Sequence, residues 1–158
     1  MRDSLWTPTV TDVLAIHEDI VSEYDATEPG VRDEGAISFA IDRVVAGSPT
    51  NDRETIDEKA FELLRLLVAN HPFVDANKRT ALDTVATFYL LNGYRLEYDS
   101  EIRRILSDLA IDESAVDRNE VIEYLRTHTR SIDTDETLRG IRSDLVEYGL
   151  TRYRDEEK

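Results

Sequence analysis

The chain has no cysteine, which excludes a disulfide framework and any thiolate metal site. Lysine occurs only as Lys59, Lys78 and Lys158. No apolar run approaches the roughly 18 residues of a membrane helix, and no charged-then-apolar leader opens the sequence. The expected setting is soluble and cytoplasmic, with no membrane partner. Basic residues are outnumbered 19 to 34 by acidic ones, for a formal net charge of −15. That deficit argues against general nucleic-acid binding, which neutralises phosphates with cations. A nuclease would also need a carboxylate cluster for two metals, and none is apparent. An acidic, lysine-poor surface suits a high-salt cytoplasm, where screened charge keeps a protein soluble; a halophile-like surface is therefore expected.

What is present is a series of apolar periodic runs within 158 residues, enough for one domain with one core. Val10, Val13, Leu14, His17, Ile20, Val21 and Tyr24 recur at helical spacing. His17 lies on that apolar stripe and is expected to be a core or boundary histidine, not a ligand. Ile37, Ala40, Ile41, Val44 and Val45 mark a second helix. Thr55-Ile56-Asp57-Glu58 has capping-box spacing, and the helix behind it is apolar on nearly every side, so it is expected to be central. Another nearly all-apolar helix is expected to start within 75–78 and to run to Leu91, closed by Asn92-Gly93. Tyr94-Arg95-Leu96-Glu97-Tyr98 alternates like a short strand, and a pairing with the segment near Val31 is a guess the pattern allows. Three more helices follow, centred on Ile105, Val121 and Ile141. The predicted fold is all-α, about seven helices with at most a small β-hairpin flap.

Between the two apolar helices stands His71-Pro72-Phe73-Val74-Asp75-Ala76-Asn77-Lys78-Arg79. The residue before a proline is pushed out of helical dihedrals, which places His71 at the end of the first helix. A helix N-terminus offers free N–H groups and partial positive charge, and Asn77, Lys78 and Arg79 lie at one. Lysine and arginine are the two usual grips on phosphate oxygens. Asp75 is a hard oxygen ligand of the kind Mg²⁺ takes beside nucleotide phosphates. His71 is a residue type that can take a proton from a hydroxyl at neutral pH. Phe73 would anchor the loop in the core. These are the parts of metal-assisted phosphoryl or nucleotidyl transfer. A plain connector explains each residue singly, with His71, Asp75 and Asn77 as helix caps. It explains the set less well, because two adjacent cations oppose a helix N-terminal dipole unless an anion binds there.

This stretch resembles the signature of the Fic/Doc superfamily, His-Pro-Phe-x-(Asp/Glu)-Gly-Asn-Gly-Arg, and specifically its death-on-curing (Doc) branch, which has lysine where Lys78 stands. Gly30-Val31-Arg32-Asp33-Glu34-Gly35-Ala36-Ile37 and Leu91-Asn92-Gly93-Tyr94 are similar to flanking segments of Doc-like chains, so the likeness spans about 10–128. The resemblance implies a toxin that transfers the γ-phosphate of ATP, with Mg²⁺, to a hydroxyl of a target protein. For Doc that target is a translation elongation factor, and growth arrest follows. It implies His71 as general base, Asp75 as the Mg²⁺ residue, and Ala76, Asn77, Lys78 and Arg79 as the phosphate cradle. The segment of Val31, Arg32 and Asp33 would be a flap that docks the target as an added strand. The implied partner is a cognate antitoxin, as in type II toxin–antitoxin systems. Two alternatives stay open: a Fic-type AMP transferase, and a silent Fic-fold module that binds without turnover.

The sequence departs from the general pattern at Ala76, where Fic motifs have glycine, and at Leu82, where long Fic motifs have a second arginine; Doc-type motifs tolerate both. No Ser/Thr-x-x-x-Glu-Gly/Asn inhibitory motif is found, which favours restraint by a separate antitoxin. Residues 1–130 are expected to form the catalytic domain. Residues 131–158 are expected to form a helical extension packed on it, with a regulatory or homodimer-forming role as the alternative.

Overall fold

The computed structural model describes residues 5–133 and Arg139. The expected C-terminal helix with Leu138, Ile141, Leu145 and Tyr148 lies outside the described residues. Within them the chain forms six α-helices, a short 3₁₀ turn and one two-stranded sheet. The helices are α1 Val10–Glu23, α2 Glu34–Ala46, α3 Ile56–Ala69, α4 Asn77–Leu91, α5 Glu101–Ile111 and α6 Arg118–Thr127. No helix among the described residues is long and apolar enough to cross a membrane.

Local chemistry sets the boundaries. Thr9 and Asp12 close a reciprocal capping box on α1. Thr55 Oγ1 accepts from the Glu58 amide to start α3, and Asp117 accepts from the Asn119 and Glu120 amides to start α6. Past the end of α4, Gly93 takes the left-handed conformation that stops a helix, at φ 86°.

α3 is the hub, packing on α2, α4, α5 and α6. Its Leu63, Leu64, Leu67 and Val68 are fully enclosed, which is why its sequence is apolar on nearly every side. Its one buried charge, Glu62, meets the guanidinium groups of Arg65 and Arg118, the latter on α6. Burial pushes the Glu62 carboxyl up, but the two guanidinium groups outweigh it and hold the group below the usual carboxylate range. Ionised and doubly paired, Glu62 ties α6 to the hub.

The sheet corrects one expectation. Tyr94–Leu96, β1, pairs antiparallel with β2, Thr129–Ser131, and not with the segment near Val31. Val31 instead forms an isolated antiparallel bridge with Phe73. β2 follows directly on α6, which lies against α3, so the packing of α6 delivers it to β1. Asn92 fastens the same corner: its amide exchanges hydrogen bonds with the Trp6 backbone N–H and C=O at 2.9 and 2.8 Å. His128 caps α6 and stacks on Tyr124, its ring reaching Asp99 at 3.2 Å.

Candidate active site

The loop between α3 and α4 is shaped partly by its own residues and partly by α1 and the segment before α2. α3 stops at Ala69 because Pro72 has no N–H and restricts the residue before it. His71 turns the chain in the left-handed region, φ 45°. The Pro72 carbonyl then accepts from the Arg32 and Asp33 amides at 2.7 and 3.0 Å, and the Val74 amide donates to the Gly30 carbonyl. These bonds lay the segment before α2 alongside the loop. Phe73 points inward, 1% exposed, its ring 3.8 Å from the His17 ring and nearly parallel to it. Asn77 folds back over the turn: its Oδ1 accepts from the Phe73 amide at 2.9 Å and its Nδ2 donates to the Phe73 carbonyl at 3.0 Å.

Ala76 precedes α4 at φ 62°, and no side chain caps that helix. The amides of Asn77, Lys78 and Arg79 consequently have no partner among the described residues. Lys78 is exposed and forms no ion pair among them. Arg79 makes a long contact to Asp83 at 3.4 Å and lies 5.9 Å from the centre of the Tyr24 ring. Asp75 is exposed, with Oδ2 accepting from the Glu28 amide and Oδ1 from the Ala76 amide at 3.1 and 2.7 Å. The Glu28 amide first, then that of Ala76, holds its carboxyl below the usual carboxylate range, so it is ionised at neutral pH. The His71 ring is exposed and makes no hydrogen bond among the described residues.

Asp75, Ala76, Lys78 and Arg79 thus sit together at an uncapped helix start, with the Val31 segment bonded to the same loop. Asn77 also braces the turn, its side-chain amide exchanging two hydrogen bonds with the Phe73 backbone. Asp33 is likewise engaged, capping α2 through the Ala36 amide. The motif residues line neither of two surface hollows, one of about 380 Å³ between α5 and α6 and one of about 780 Å³ beside the α2–α3 connector.

Residues 7–89 match the Fic/DOC family. The chain belongs to that family. It is 30% identical over 105 residues to "Protein kinase doc" of Escherichia phage P1, a match covering 66% of this chain and 82% of that one. It is 39% identical over 77 residues to "Toxin Doc" of Mycolicibacterium smegmatis, covering 47% and 58% respectively. Both relatives place this Fic/DOC member on the Doc branch, in agreement with Lys78, and its general kind is that of a Doc-like toxin and transferase.

The donor set of this Fic/DOC loop fits Mg²⁺ delivered with a nucleotide better than a resident ion. No group of three or more His, Cys, Asp or Glu side chains among the described residues could cage a metal. Asp75 alone offers a carboxylate, and each of its oxygens keeps a lone pair beyond its one amide bond. One or two carboxylates plus phosphates is the usual Mg²⁺ set on nucleotides.

Ala76 carries a testable strain. A left-handed alanine costs about 1–2 kcal/mol, against roughly 0.5–1 kcal/mol for the extra chain entropy of glycine. Ala76→Gly is expected to raise the melting temperature by about 2–4 °C. Thermal unfolding followed by circular dichroism checks it, and a lowered midpoint would mean the turn holds no strain.

Proposed function

We propose that this Doc-branch protein phosphorylates a hydroxyl of a target protein from ATP, as the toxin of a type II toxin–antitoxin pair. The observation that carries the reading is the start of α4: three amides and a Lys78 without partners among the described residues, and a half-free Arg79, beside an ionised Asp75. That is a polyanion site by charge, dipole and donor count. Lys78 in place of glycine, and a relative named a protein kinase, favour γ-phosphoryl over AMP transfer.

In this reading His71 accepts the proton of the target hydroxyl as its oxygen bonds to the γ-phosphorus. The bond from that phosphorus to the β,γ-bridging oxygen breaks, and ADP departs. Lys78, Arg79 and the amides of α4 hold the phosphates in line and carry the charge that builds on them. Asp75 would hold Mg²⁺, which supplies charge neutralisation between phosphates. The flap at Val31, half exposed, would pair the target as an added strand, since its bridge to Phe73 uses only one edge. A translation elongation factor is the proposed target, a separate antitoxin the proposed restraint, and the cytoplasm the proposed setting.

The test is a label-partition assay with Mg²⁺ and host lysate, at high and low KCl. One tube carries ATP labelled at the γ-phosphate and the other ATP labelled at the α-phosphate. Protein label from γ alone is the expected result. Label from α would make the chain an AMP transferase, and Lys78 would then not decide the chemistry.

A further inference from the structure

His17 is buried to 5% exposure on α1, among residues whose side chains are otherwise apolar on that face. Its Nε2 lies 3.0 Å from the carbonyl oxygen of Asp75, 58 residues away. A carbonyl can only accept, so Nε2 carries the proton and donates. The same ring stacks face to face on Phe73 at 3.8 Å with 6° between planes. One side chain of α1 therefore grips the loop twice, through the ring that anchors it and through the peptide that follows Asp75.

The second grip has a geometric consequence. In a trans peptide the C=O and the following N–H point in opposite directions. With the Asp75 carbonyl turned inward to His17, the Ala76 N–H of the same peptide is turned outward. There it donates to Asp75 Oδ1 at 2.7 Å, while the Glu28 amide, on the chain leaving α1, holds Oδ2 at 3.1 Å. The carboxylate is thus fixed by two amides, one of which is aimed by His17. The left-handed turn at Ala76 and the free start of α4 follow directly on that peptide.

We propose that His17 is the positioning residue of the site, orienting the Asp75 carboxylate through the Asp75–Ala76 peptide. The proposal deepens the transfer reading and rests on it for one arm of its test only. The full chain is compared with His17→Phe, which keeps a stacking ring and removes the donor, and with His17→Gln, which removes the ring and keeps a donor at the Nε2 position.

The first arm is amide hydrogen exchange, which needs no activity. In His17→Phe the Ala76 amide should exchange about tenfold faster, for the loss of one hydrogen bond, while the α3 amides stay as in wild type. His17→Gln should restore most of that protection. The second arm is transfer kinetics with labelled ATP. The kcat of His17→Phe should fall roughly 10–100-fold, the usual cost of losing the partner that orients a metal-binding carboxylate, with KM for the target unchanged. His17→Gln should again recover it. Wild-type exchange at Ala76 in His17→Phe, or a His17→Gln no better than His17→Phe, overturns the proposal. Should His17→Phe not fold, Ala76 exchange in His17→Gln decides: equal to wild type it supports the role, faster it removes it. A wild-type chain that transfers nothing would defeat the transfer reading, and the exchange arm would still decide on His17.

Discussion

His71→Ala is expected to lower phosphoryl transfer by about 10²–10⁴-fold, the range a positioned general base contributes. The protein should otherwise be unchanged. The ring is exposed and makes no hydrogen bond among the described residues, so its removal opens no cavity and strands no partner. The backbone at 71 is left-handed, φ 45°, and histidine and alanine both carry a Cβ there, so the strain is common to the two. Stability should stay within about 0.5 kcal/mol, as for surface substitutions generally. Thermal unfolding and labelled-ATP transfer on the same preparation check both halves. A variant that transfers at the wild-type rate removes His71 as the base, and one that melts early would mean the ring has a packing role.

Phe73→Ala has the largest expected effect on stability, about 3–5 kcal/mol. Phe73 is 1% exposed, stacked on His17 and held by its own backbone to the Asn77 amide. Truncation leaves a cavity that the facing rings and helices cannot fill. It also frees the peptide that joins the two halves of the motif. Domains have only about 5–15 kcal/mol in total, so the melting temperature should drop by about 6–20 °C. Transfer should be impaired even below the new midpoint, because the anchor sets the position of both His71 and Asp75. A loss below about 1 kcal/mol would show that the loop is shaped without its anchor.

Much of this was legible in the sequence. The all-apolar character of α3 announces a helix surrounded on every side, and α4 does indeed run from within 75–78 to Leu91. The capping pair at Thr55 fixes the start of α3 because it acts over three residues. The misplaced strand pairing has a plain cause: a three-residue strand has too little alternation to identify its partner, and Thr129-Arg130-Ser131 carries no apolar signal at all. The engagement of Asn77 with Phe73 was hidden for another reason. Its side chain serves a turn whose shape depends on Pro72 and on the segment bonded to the Pro72 carbonyl. Glu62 and His17 are polar residues on apolar surfaces, which is itself a signal. Their partners, Arg118 and the Asp75 carbonyl, lie 56 and 58 residues away and only packing brings them near.

The two hydrogen bonds between Asn77 and Phe73 close the middle of the motif into a ring made of its own residues. A loop braced in this way would spend little conformational entropy on holding the proposed nucleotide, so more of the contact energy would survive as affinity. It also needs little reorganisation when charge shifts during the reaction, the condition under which fixed dipoles stabilise a transition state most effectively. In the proposed reading, control of such a site would fall to a partner that covers it, because the loop's own bonds leave little within it to switch.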